Sequence, residues 1–251
     1  MATTIPTDAG TRQPGAKRRE PFFARLLGSG WTKAAVFVAC LTPFLLLLWP
    51  FYKLLTTGDA PELTANPVEY ITHDTGNWTL RLLLITLSIT PLRKIFNQPK
   101  LVRYRRMLGL FAFFYVCLHF MTWFILDKSF SLPDMWADIL KRRFITAGMF
   151  GFALLVPLAL TSTAGWVRRL GFARWQRLHR LIYFIALAGV IHYYWLVKSD
   201  VRLPLMYAAI FGMLMLYRFL MWRQTPPKRA AARPAAGPRS VTTPNTASLP
   251  D

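Results

Sequence analysis

Long apolar runs separated by short polar and basic stretches organise residues 31–222. The runs lie near 31–52, 79–96, 107–126, 144–163, 180–197 and 204–222. Each approaches the roughly 20 residues that a helix needs to cross a hydrocarbon core of about 30 Å, the second and fifth being somewhat short. Pro43 and Pro157 fall inside two runs, where packed membrane helices tolerate a kink. The pattern predicts an all-α membrane protein, a six-transmembrane-helix bundle over 31–222. It is flanked by a basic segment at 1–30 and by a tail at 223–251 whose Pro-, Ala-, Ser- and Thr-rich sequence predicts disorder. The polar first 30 residues and the length of the first run predict a retained span rather than a cleaved signal.

Charge orients the bundle. The chain carries 31 Lys and Arg against 11 Asp and Glu, a formal net charge of +20. Such a balance raises nucleic-acid binding, but the basic residues sit in short clusters between apolar runs, which is the pattern of membrane topology. Lys17-Arg18-Arg19, Arg103, Arg105-Arg106, Arg168-Arg169, Arg174, Arg177 and Lys228-Arg229 all fall on one side of a six-span arrangement. Asp59, Glu62, Glu69, Asp74, Asp127, Asp134, Asp138 and Asp200 fall on the other. The positive-inside rule therefore predicts both ends in the cytoplasm. Lys141-Arg142-Arg143 is the exception, placed outside. With 54% hydrophobic residues and a mean hydropathy of +0.31, the composition agrees with several spans. Cys40 and Cys117 fall inside apolar runs and read as small core residues rather than a disulfide or zinc site.

The chemistry lies in the histidines. The chain has four, and His119, His179 and His192 sit in or at the edge of apolar runs, where a titratable ring is expensive and marks function by default. His119 and His192 each lie about 12 residues, or about 18 Å, into spans that run from inside to outside. Two imidazoles at one depth on two helices can ligate one haem iron from both faces, and a bis-histidine site favours electron transfer over oxygen chemistry. His179 lies 13 residues before His192, about 20 Å nearer the cytoplasm, and is the candidate ligand of a second haem iron. Its counterpart on the third span, 13 residues before His119, is Arg106, which is no iron ligand. Thirteen helical residues also rotate a side chain by about 220°, so one straight helix would not aim His179 and His192 the same way. Either the helix is irregular near 175–180, or a π-bulge intervenes, or the two histidines serve different neighbours. His73, in a polar outer connection, reads as ordinary surface. Arg81, Arg106 and Arg180 near the two faces could meet haem propionates, with snorkelling as their default role. The spans contain no Asp or Glu, which argues against a proton pump or ion-coupled transporter.

Several motifs add a resemblance. They are Asn66-Pro67-Val68-Glu69-Tyr70-Ile71, Thr75-Gly76-Asn77-Trp78-Thr79-Leu80, Arg105-Arg106-Met107-Leu108-Gly109, Lys141 to Gly148, Leu160-Thr161-Ser162 and Trp175 to Tyr183. In this order, with His119 and His192, they resemble the MsrQ family, haem-binding membrane subunits of bacterial periplasmic protein-methionine-sulfoxide reductase systems with a ferric-reductase-like cytochrome b domain. The resemblance covers about residues 30–222. It implies haem b, with His119, His192 and His179 as the haem histidines, and an association with FMN for which no motif here fixes a site. It implies electrons drawn from the quinol pool or a cytoplasmic flavin reductase. These pass to a periplasmic molybdopterin reductase, a separate catalytic chain that repairs oxidised methionines. It places the protein in the bacterial inner membrane.

Two other readings compete. A self-sufficient ferric or cupric reductase would need a nucleotide-binding module, and no GxGxxG or GxxxxGK[ST] pattern opens a helix; turnover with NADPH alone would favour it. A transporter or scaffold with structural histidines would purify colourless.

Overall fold

The computed structural model describes residues 22–58 and 66–224, so the basic N-terminal segment up to residue 21 and the tail from 225 lie outside the described residues. All regular structure among the described residues is helical. The short α1 (Phe22–Gly28) precedes α2 (Gly30–Thr57), α3 (Pro67–Ile95) and α4 (Val102–Met121), whose end continues as a π-helical turn over Thr122–Asp127. Next come α5 (Leu132–Lys141), α6 (Arg143–Leu160), α7 (Ala164–Leu170), α8 (Phe172–Leu178), α9 (Ile182–Leu196) and α10 (Arg202–Gln224). A 3-10 turn, His179–Leu181, joins α8 to α9.

Local sequence sets the boundaries. Asn66 caps α3 by accepting from the Glu69 N–H at 3.3 Å, and Pro67, which has no N–H to lose, opens the first turn. This cap starts the helix twelve residues before the apolar run expected at 79–96, so Thr72, His73 and Gly76 are helical. Ser29 caps α2 and Ser131 caps α5 in the same way.

Four stretches are long and apolar enough to cross a membrane by length and composition: Gly30–Thr57, Pro99–Asp127, Arg143–Leu160 and Arg202–Gln224. α3 falls short of this because its first half carries Glu69, His73, Asp74 and Arg81, and α9 because it has 15 residues. Both occupy the interior. α3 buries Leu80, Leu82, Leu83, Leu84 and Leu87, and α9 buries Ile185, Ala186 and Val190. α3 packs along α4, and α9 along α6. The outer helices expose apolar side chains instead, as Leu46 on α2 (67%) and Met213 on α10 (71%) do, a surface suited to lipid.

Two prolines are accommodated by side chains from neighbouring helices. Pro43 cannot continue the hydrogen-bond ladder of α2, and its ring opens the turn around it. The Tyr115 hydroxyl of α4 enters that opening, accepting from the Phe44 N–H at 3.0 Å and donating to the Cys40 carbonyl at 2.8 Å. Those two groups would otherwise bond to each other. Pro91 in α3 leaves the Leu87 carbonyl without its N–H partner, and the Arg218 guanidinium of α10 donates to it.

The sequence reading treats 127–143 as a loop, but most of it is α5. Leu132, Trp136 and Leu140 recur every four residues and stand exposed on one face. On the other side Asp138 gathers Lys128 at 2.5 Å and Arg142 at 3.3 Å, and Arg143 lies 5.8 Å from the Trp195 ring. The basic triplet that broke the topology rule is thus partly neutralised by local contacts. The Asp138 carboxylate raises the Lys128 pKa. A lysine pKa raised on folding adds stability that is complete below its unfolded value of about 10.4 and is lost as pH rises through the folded value. Asp138→Asn should therefore lower the thermal midpoint at neutral pH, and the difference from wild type should shrink in strongly alkaline buffer. Thermal unfolding in detergent at the two pH values checks this.

Candidate functional site

At the α5 end of the bundle, α3, α4, α6 and α9 enclose a cavity of about 550 Å³. Its walls include Leu83, Phe120, Phe152 and Leu155, and its mouth includes Glu69, His73, Asp127 and Arg142. An apolar chamber with a few polar groups at its opening suits a flat, largely hydrophobic ligand.

Two histidines face each other across this space. The rings of His119 on α4 and His192 on α9 have centroids 5.9 Å apart and planes at 87°. His119 lies 17 residues after the start of α4, about 26 Å along the axis rather than about 18 Å, because the helix begins before the apolar run does. The site is therefore near one end of the bundle. Each imidazole is held by its Nδ1: His119 bonds the Thr72 carbonyl of α3 at 2.8 Å, and His192 bonds the Phe144 carbonyl of α6 at 2.6 Å. A carbonyl only accepts, so each Nδ1 carries the proton and each Nε2 keeps a free lone pair. Metal-bound histidines are commonly oriented by such a second hydrogen bond.

The donor set fits a haem iron between the two rings. Metal–imidazole bonds of about 2 Å on opposite sides of one ion place the ring centroids about 6 Å apart, close to the observed separation. Among the described residues no group of three or more His, Cys, Asp or Glu gathers as a multi-ligand metal site. Cys40 and Cys117 are free thiols.

His179 is elsewhere. His179 begins a 3-10 turn between α8 and α9 and serves neighbours other than those of His192. Its ring packs 4.0 Å from that of Trp175, its Nδ1 is 3.1 Å from the Trp175 carbonyl, and Trp175 is anchored by donating to the Thr161 carbonyl at 2.9 Å. The His179 Nε2 is buried without a partner. The charge of Arg105 reaches the ring. Arg81 is away from the cavity lining, bonded to the Tyr207 hydroxyl at 2.9 Å and 4.9 Å from the Trp78 ring; the cation at the mouth is Arg142.

Sequence reasoning missed the carbonyl partners Thr72 and Phe144, because backbone acceptors leave no residue signal. It also set aside His73, which lines the mouth.

Comparison with known proteins agrees with this architecture. Residues 75–190 match the family described as ferric reductase like transmembrane component. A protein of Caulobacter vibrioides named protein-methionine-sulfoxide reductase heme-binding subunit MsrQ is 51% identical over 193 residues, covering 77% of this chain and 89% of its own. Proteins of the same name from Xanthomonas campestris pv. campestris (82% and 93% covered) and Herminiimonas arsenicoxydans (80% and 90%) are each 48% identical. The chain belongs to the MsrQ family. The ferric-reductase-like match contains His119 and His179 and ends two residues before His192.

Proposed function

We propose that this MsrQ-family chain is a transmembrane electron conduit that holds one haem b between His119 and His192. The observation that carries the reading is the facing imidazole pair, each ring fixed through Nδ1 with Nε2 free. A haem bound there would supply a one-electron carrier with both axial positions filled, which suits electron transfer rather than oxygen chemistry. The four histidines allow only one such pair, since His73 is at the mouth and His179 packs on Trp175. His179 offers a single bare nitrogen, the candidate ligand for a second group near the opposite end.

The charge pattern orients the conduit. Six spans with both ends in the bacterial cytoplasm put the cavity mouth on the periplasmic side. α3, α4, α6 and α9 hold the two rings and exclude water from their apolar side. Glu69, Asp127 and Arg142 form a polar rim on which a partner can dock, with rim charges governing association rate and salt dependence. The donor is the quinol pool or a cytoplasmic flavin reductase. The acceptor is a periplasmic molybdopterin methionine sulfoxide reductase; the relatives' name supports its methionine sulfoxide reductase activity alone.

Purified chain, reduced and mixed with the oxidised periplasmic reductase and methionine sulfoxide, tests the reading. The account expects reoxidation of its visible spectrum only with both partner and substrate present. Reoxidation that ignores the partner, or turnover with NADPH and no partner, would count against it.

A further inference from the structure

The two imidazoles are seated in the same way on two different helices. His119 reaches the carbonyl of Thr72, and a Cβ added at Gly76, four residues later, would lie 3.0 Å from its Cε1 and 3.1 Å from its Nδ1. His192 reaches the carbonyl of Phe144, and a Cβ at Gly148, again four residues later, would lie 2.8 Å from its Nδ1 and 3.1 Å from its Cε1. In each case the Nδ1–Cε1 side of the ring meets one helical turn, with a carbonyl as the partner of Nδ1 and a bare glycine Cα beside it. A glycine inside a helix costs about 1 kcal/mol relative to alanine, so two of them at matched positions call for a reason, and close approach of a ring supplies one.

We infer that Gly76 and Gly148, with the carbonyls of Thr72 and Phe144, are paired positioning elements that set the depth and the perpendicular orientation of the two axial imidazoles. The inference rests on the haem reading above and adds to it what fixes the ligands. Oriented ligands do not swing on haem loading, and perpendicular planes donate into different iron d orbitals. Those orbitals are then nearly equal in energy, and the low-spin ferric spectrum becomes strongly anisotropic. A methyl group at either glycine pushes its ring outward, lengthens its bond to the carbonyl and turns its plane.

Two helical glycines away from the cavity serve as controls. A Cβ at Gly109 on α4 or at Gly212 on α10 would meet nothing within 4 Å. The test compares Gly76→Ala and Gly148→Ala with Gly109→Ala and Gly212→Ala in the full chain. Haem content is read by pyridine haemochrome and ligand geometry by low-temperature electron paramagnetic resonance. All four changes favour helix, so misfolding is not the expected result, and size-exclusion profiles check it. Gly148→Ala, with the closest contact, is expected to lower haem affinity by about 10–100-fold, the range seen when groups that orient metal ligands are lost. Gly76→Ala is expected to lower it less, and haem retained in either variant to show reduced anisotropy. The controls should keep wild-type content and signal. Wild-type affinity and anisotropy in both cradle variants would overturn the inference while leaving the haem reading intact, as would losses no larger than those of the controls. A wild-type protein without haem would overturn both.

Discussion

His119→Ala and His192→Ala should each abolish the Soret band and the sharp α-band of the reduced-minus-oxidised spectrum. In the proposed site each ring would supply one nitrogen to the iron, and among the described residues the pair is the only place where two imidazole rings meet. Loss of one ring would leave a single imidazole to hold the group in a cavity where two now face each other. It also strips the Thr72 or Phe144 carbonyl of its imidazole donor. The expected outcome is near-complete loss of haem in both variants with protein yield maintained. His73→Ala, at the mouth, is the matched control and should keep the full spectrum. Unchanged haem in both axial variants would remove the ligand assignment.

Tyr115 should have the largest effect on stability. It is 1% exposed, and its hydroxyl serves both backbone groups that Pro43 separates. Tyr115→Phe keeps the ring and removes the bridge, leaving an N–H and a carbonyl unpaired in an apolar interior, at a cost of about 1–3 kcal/mol for each unpaired group. Tyr115→Ala also empties the space between α2 and α4, for about 3–5 kcal/mol from the lost ring alone. Thermal unfolding in detergent should rank wild type above Phe and Phe above Ala. Restoring the ladder with Pro43→Ala in the Tyr115→Phe background should recover most of the loss, because the Phe44 N–H can then return to Cys40. A Phe variant as stable as wild type would show that the hydroxyl bridge is dispensable.

Much of the helical architecture was legible in the sequence, because period and length are local properties. The runs at 107–126, 144–163 and 204–222 became α4, α6 and α10 with shifted ends. α3 was harder to read because a helix shielded by its neighbours need not be apolar throughout. Its polar first turns looked like a loop, yet Asn66 and Pro67 start the helix there and bring Thr72 beneath His119. α5 was hidden because its apolar stripe is short and falls between charged residues. At the site, His119 and His192 could be matched because each lies about 12 residues into its apolar run, although the helices themselves begin 17 and 10 residues before them. The 13-residue spacing to His192 allowed either an irregular helix or different neighbours for the two rings, and a 3-10 turn at His179–Leu181 accompanies different neighbours. The carbonyl partners and the matched glycines depend on which helices pack together, and that information is tertiary.

The most direct test of the central claim is low-temperature electron paramagnetic resonance of the ferric protein, with haem quantified per chain by pyridine haemochrome. The account predicts one low-spin bis-histidine haem per chain, strongly anisotropic because the two rings stand at 87°. A high-spin ferric signal, or protein that carries no haem after expression with ample haem supply, would contradict it.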